Sequence, residues 1–132
     1  VSSGGMMLFD EPPVRHYEED MLQRGVVRYL DLALPPDATF YHCPNGGLRK
    51  RQLAARLVGL GVRPGVPDLP LVWQGRALFI ELKTPAGALS PAQRDYHNKL
   101  AYCGAEVMVC RSDVEVEQAL RERGMQLRAR LR

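Results

Sequence analysis

Pro67-Asp68-Leu69-Pro70-Leu71-Val72-Trp73-Gln74-Gly75-Arg76-Ala77-Leu78-Phe79-Ile80-Glu81-Leu82-Lys83 is the stretch that decides the fold. Two apolar runs flank Gln74-Gly75, and a two-residue connection containing Gly suits a tight hairpin. A turn centred there pairs Trp73 with Arg76, Leu71 with Leu78 and, at the far end, Asp68 with Glu81. Directly opposed residues have Cβ atoms about 4.5–5.5 Å apart, and like charges so placed repel. A divalent cation between the two carboxylates would offset that repulsion. Lys83 lies two residues past Glu81 and so projects from the same face of its strand. Leu78, Ile80 and Leu82 face the other way and can pack against a helix. Two acids and a lysine on one sheet face can hold a metal beside a phosphate. A lone Glu-x-Lys is equally what a half-solvated strand end looks like; the cross-strand Asp68 distinguishes this one.

Working outward, a first helix is expected from about Arg15 to Leu32, between Pro12-Pro13 and Pro35-Pro36. Its apolar stripe is Leu22, Val26, Tyr29, Leu30 and Ala33. Glu19 heads that stripe. A carboxylate on a buried face needs a partner or a metal, whereas one in the first helical turn only favours the helix dipole. Both readings stand for Glu19, and Glu18 is its rival as the helix acid. A short strand, Thr39 to His42, comes next. Cys43-Pro44-Asn45-Gly46-Gly47 reads as a loop. A second helix covers Lys50 to Leu60, with Leu53, Leu57 and Leu60 on one side.

After Lys83, Ser90 is a good N-cap and Pro91 a good first residue for a third helix running to about Cys103. Tyr96, Leu100 and Cys103 form its expected stripe, with Gln93 at the edge. Glu106–Cys110 reads as a strand parallel to Arg76–Lys83 through a right-handed crossover. Ser112 or Asp113 caps a last helix, ended by Gly124. The expected class is α/β, a mixed sheet flanked by helices. Residues 1–14 are expected to be a flexible N-terminal segment, its first few residues read as an expression remnant. Residues 15–124 make one domain and residues 125–132 a basic C-terminal tail.

Composition sets limits on function. At 132 residues, with 45% apolar and 25% charged residues, the chain can build one soluble core. No run has the length of a membrane span and no secretory leader is seen, so no membrane partner is expected. Cys43, Cys103 and Cys110 are odd in number and lack zinc-ligand spacing, which favours a reducing compartment. The net charge of +3 is mild. Its distribution is not: Arg49, Lys50, Arg51 and Arg56 cluster, as do Arg121, Arg123, Arg128, Arg130 and Arg132. Such surfaces attract phosphate backbones, though a basic solvated face has the same composition.

Five blocks, taken in order, resemble the VRR-Nuc domain of the PD-(D/E)XK nuclease superfamily: Glu19-x-x-x-Gln23, His42-Cys43-Pro44-Asn45-Gly46-Gly47-x-Arg49, Gly65-Val66-Pro67-Asp68, Phe79-Ile80-Glu81-Leu82-Lys83, and Leu89-Ser90-Pro91-x-Gln93. The resemblance covers about Tyr17 to Leu120. It implies a restriction-endonuclease-like core and Mg²⁺- or Mn²⁺-dependent cleavage of DNA. The stand-alone phage and bacterial type implies branched or four-way-junction (Holliday) substrates, a homodimer and a cytoplasmic setting. Carried onto these residues, Asp68, Glu81, the Leu82 carbonyl and Glu19 would hold metal. Lys83 and Gln93 would act with them in catalysis, and Asn45, Arg49, Lys50 and Arg51 would touch DNA. Two rival readings are a non-catalytic nucleic-acid-binding module of the same fold and an RNA-directed nuclease. A His-Asn-His site around His42 and Asn45 lacks a second histidine nearby. Trp73, Tyr102 and Met125 are candidates for a dimer surface.

Overall fold

Gln74 and Gly75 both take positive φ, 50° and 74°, the backbone that closes a two-residue hairpin with the right-handed twist of its strands. The turn joins β2 (Leu69–Trp73) to β3 (Arg76–Leu82), paired Trp73↔Arg76, Leu71↔Leu78 and Leu69↔Ile80. This is the register expected from the turn. One further step along it sets Asp68 opposite Glu81. The structure is a computed structural model and describes residues 14–44 and 51–131; the side chains of residues 14–16, 51, 52 and 54 are not described.

The other elements are α1 (Val14–Ala33), β1 (Ala38–Phe40), α2 (Arg51–Gly59), α3 (Pro91–Tyr102), β4 (Glu106–Cys110) and α4 (Asp113–Glu122). Their order is the one the sequence predicts. The sheet has four strands in the order β1-β2-β3-β4. β1 and β3 each run antiparallel to β2, and β4 runs parallel to β3. The sheet is therefore mixed, with α3 as the crossover between the parallel strands.

One sheet face presents Leu69, Leu71, Trp73, Leu78, Ile80, Leu82, Met108 and Cys110. These bury against Val26, Tyr29, Leu30 and Ala33 of α1 and Val116 and Leu120 of α4. The α1 stripe is thus as expected, with Leu22 at its partly buried margin. The opposite face carries Glu81 and receives α3. There Ser90 accepts the Gln93 N–H and Gln93 Oε1 accepts the Ser90 N–H, a reciprocal cap that fixes where the helix starts.

Three expectations about packing need correction. In α3 the buried side chain is His97, with Tyr96 and Leu100 of the expected stripe half-buried beside it, while Cys103 is exposed, so the stripe ends one turn earlier than expected and takes in His97. In α2 Leu53 is exposed, as is Leu60 just past its end, so the helix stops one residue short of its expected bound, and no residue of this helix joins the core formed by the described residues. Its leucine spacing gives it an apolar side without a partner there. Of the three candidate dimer residues, Trp73 and Met125 are buried and only Tyr102 is exposed.

The segment after Gly124 is packed rather than loose. Met125 is buried, and Leu127, Ala129 and Leu131 lie against the core, while Arg128 and Arg130 face outward. Arg128 N–H donates to the Ala33 carbonyl (2.7 Å), Tyr29 Oη–H to the Ala129 carbonyl (2.9 Å) and Leu131 N–H to Glu117 Oε1 (3.2 Å). Alternate residues inward and outward give this strap the character of a strand laid across α1 and α4. No helix among the described residues is long and apolar enough to cross a membrane.

Candidate metal-dependent active site

The hairpin and the parallel crossover bring their chemistry to one end of the sheet. Asp68 precedes β2, Glu81 and Leu82 end β3, Lys83 follows, and the first turn of α3 lies alongside. Pro67 is fully buried beside Asp68. Gly65 makes room for α3: its φ is +84°, and a Cβ there would sit 2.2 Å from the Ala92 carbonyl oxygen. No side chain larger than hydrogen fits that approach.

Asp68 is braced through both its parts. Its Oδ2 accepts the Leu82 N–H at 2.8 Å. Its main-chain carbonyl accepts the Cys43 N–H at 2.9 Å, and His42 Nδ1 lies 3.0 Å from the same oxygen. The residues just after β1 thus hold Asp68 from one side and β3 holds it from the other. The His42 block contributes to the site by this route, through main chain.

Glu81 is only 1% exposed. Gln93 Nε2 donates to its Oε2 at 3.3 Å, and His97 Nε2 shares a hydrogen bond with its Oε1 at 3.0 Å. Burial is the main reason its carboxyl pKa is pushed up from 4.5 to about 9. The charge of Asp68 and a hydrogen bond with it add to the rise, and the Lys83 ammonium opposes it. Burial also lowers the His97 pKa, with Lys83 acting in the same sense and Asp68 against it. A carboxyl that resists ionising beside an imidazole that resists protonation makes a hydrogen-bonded pair rather than an ion pair. The Asp68–Glu81 approach expected from the hairpin register is therefore real, and Lys83 acts electrostatically on both Glu81 and His97.

The donor chemistry suits a hard divalent ion. Asp68 and Glu81 supply carboxylate oxygens, and a cation would relieve the strain between them. Among the described residues no three His, Cys, Asp or Glu side chains gather as a metal-holding group.

Glu19 takes neither of the two places left open for it. α1 already begins at Val14, so Glu19 lies past the first turn; it is exposed and makes no hydrogen bond or ion pair among the described residues. Glu18 instead lines a cavity of about 420 Å³ with Leu22, Thr84, Pro85, Ala86 and Arg111, facing the loop that follows Lys83. Asn45, Arg49 and Lys50 lie outside the described residues, and Arg51 is described only as the first residue of α2.

Sequence reading missed His97 and Arg111. His97 stands four residues after Gln93, one helical turn further on the same face, and that spacing is the signal that could have found it. Arg111 follows β4 and donates from Nη1 to the carbonyls of Thr84 (2.7 Å), Gly87 (2.7 Å) and Pro85 (3.4 Å). It pins the loop after Lys83. Nothing local to Arg111 forecasts a partner more than twenty residues away.

A family model describing the VRR-NUC domain matches residues 16–114. A solved structure described as a "VRR_NUC domain protein" is similar, with 23% identity and a TM-score of 0.61 over 80% of this chain and 86% of that one. A second, described as a "VRR_NUC domain", has 23% identity and a TM-score of 0.53 over 80% of this chain and 95% of that one. At such identity these likenesses speak to the fold alone, and the fold they share is the mixed sheet flanked by helices. No curated protein matches the chain.

Proposed function

The chain belongs to the VRR-NUC domain family, a nuclease-type domain, and on that premise we propose that it is a metal-dependent endonuclease hydrolysing phosphodiester bonds in DNA. The observation that carries this reading is the approach of Asp68 to Glu81 beside Lys83 at one end of the sheet. Asp68, Glu81 and the Leu82 carbonyl would hold Mg²⁺ or Mn²⁺. When bound, such an ion supplies positive charge that polarises the scissile phosphate and makes water more acidic.

The remaining chemistry is the protein's. Lys83 places an ammonium where negative charge grows on the phosphorus oxygens as the water oxygen–phosphorus bond forms and the ester bond breaks. Gln93 holds Glu81 from α3 and orients the water or the phosphate. Glu19 enters from the family likeness alone, as a further carboxylate for an ion or its water. Asn45, Arg49, Lys50 and Arg51 contact the sugar-phosphate backbone and set register rather than sequence. Each site cuts one strand, so paired cuts across a branched or four-way-junction substrate use two protomers of a homodimer. Such a substrate belongs to the cytoplasm of a bacterium or of a phage-infected host.

The test is a cleavage assay on duplex, flap, splayed and four-way DNA and on a structured RNA, with Mg²⁺, Mn²⁺, Ca²⁺ or chelator. The expected result is nicking of branched DNA in Mg²⁺ or Mn²⁺, abolished by chelator and by Asp68→Ala, Glu81→Ala or Lys83→Ala in folded protein. Binding without cutting under every metal would make the chain a non-catalytic module. Preference for the RNA would move its substrate class.

A further inference from the structure

Glu81 is held at both oxygens by one helix. Gln93 and His97 are one turn apart on α3, and they reach Oε2 and Oε1 at 3.3 Å and 3.0 Å. His97 is itself only 8% exposed. It is too far down the helix to serve the cap made by Ser90 and Gln93. Its bond meets a specific need. Asp68 stands across the hairpin from Glu81, and once Glu81 gives up its proton to take an ion the two carboxylates repel each other until the ion is seated. A glutamate has three side-chain torsions with which to escape.

We propose that His97 is a positioning residue whose imidazole holds the Glu81 carboxylate beside Asp68, so that the two are set for a divalent ion before it arrives. The proposal rests on the metal-site reading above and adds to it the group that orients a ligand. Groups of this kind are hydrogen-bonded to a ligand rather than to the ion, and their loss commonly weakens metal binding about 10- to 100-fold. The charged groups facing the pair are Asp68 and Lys83. Neither replaces the bond: Asp68 repels Glu81 once the proton is gone, and Lys83 acts on Glu81 through its charge, with no hydrogen bond to it.

The experiment is Mn²⁺ titration calorimetry on the wild type, His97→Leu, His97→Gln and His97→Asn. Melting in chelator verifies folding, and steady-state cleavage follows. Leucine fills the space without a polar hydrogen and is expected to weaken Mn²⁺ binding at least about tenfold. Glutamine can carry an amide to Oε1 and is expected to restore most of the affinity, whereas asparagine is too short. KM for DNA should stay at the wild-type value while kcat at limiting Mn²⁺ falls, a split that a general loss of packing would not give. Wild-type affinity in His97→Leu overturns the proposal and leaves the nuclease reading intact. A wild type that binds no Mn²⁺ removes both. Should His97→Leu fail to fold, the Gln and Asn pair decides: equal Mn²⁺ affinities overturn the proposal, and tighter binding by Gln supports it.

Discussion

Gln93 joins the cap of α3 to the Glu81 carboxylate: its Oε1 accepts the Ser90 N–H at 2.9 Å while its Nε2 donates to Glu81 Oε2 at 3.3 Å. One side chain thus serves a structural and a chemical end at once. Gln93→Glu separates them. Glutamate keeps the acceptor that the cap needs, but it brings a further carboxylate against Glu81 and Asp68. The variant is expected to melt below wild type in chelator, to regain stability when Mg²⁺ is added, and to cut slowly. Gln93→Ala loses the reciprocal half of the cap and the bond to Glu81, while Ser90 Oγ still accepts the residue-93 N–H, so it should melt slightly below wild type with no added response to Mg²⁺. Melting curves with and without Mg²⁺ tell the two apart.

The state of Glu81 makes stability depend on pH. Its pKa is about 9 in the folded protein against an ordinary value of 4.5. The folded chain therefore holds a proton that the unfolded chain has released. That stabilisation is complete below the unfolded value and is lost as pH rises towards the folded one. Metal-free protein should melt at progressively lower temperature across this window, and Glu81→Gln, which has no charge to bury, should show a flatter profile. Parallel profiles would mean that Glu81 ionises freely in the fold.

Arg111 should govern the loop that carries the chain away from Lys83. Three main-chain carbonyls, of Thr84, Pro85 and Gly87, accept from its Nη1. Hydrogen bonds to a charged group contribute about 1.5–3 kcal/mol. Arg111→Ala is expected to lose that order of stability and to raise amide exchange across 84–89 first. Arg111→Lys should recover only part of it, because the lysine ammonium ends one bond short of the Nη1 that reaches all three carbonyls. Hydrogen exchange of the three proteins checks this; unchanged protection in Arg111→Ala would show that the loop holds its own shape.

The strap after Gly124 should be needed for folding. Ending the chain at Gly124 removes Met125 from the core and strips Tyr29 Oη–H and Glu117 Oε1 of their partners Ala129 and Leu131. Burying one Met is worth about 1.5–3 kcal/mol, and the freed polar groups add to the loss. Urea unfolding of the truncated chain should show at least that decrease. Equal stability would mean that the strap adds nothing to the fold.

The sequence by itself determined what is local. Gln74-Gly75 sets the hairpin register because a two-residue turn leaves only one, and that register alone carries Asp68 to Glu81. Ser90-Pro91 starts α3, and the period of Val26, Leu30 and Ala33 gives α1 its buried face. Only the tertiary structure decided what depends on how finished elements meet. The burial of His97 beside Tyr96 and Leu100, and the exposure of Cys103, follow from α3 seating on the sheet over Glu81. The exposure of Glu19 follows from where α1 runs off the core, and the place of Arg111 from a parallel strand pairing across the whole crossover. Periodicity shows that a helix has a face. The angle of that face to its neighbour is set by packing between residues far apart in the chain, and no stretch of sequence contains it.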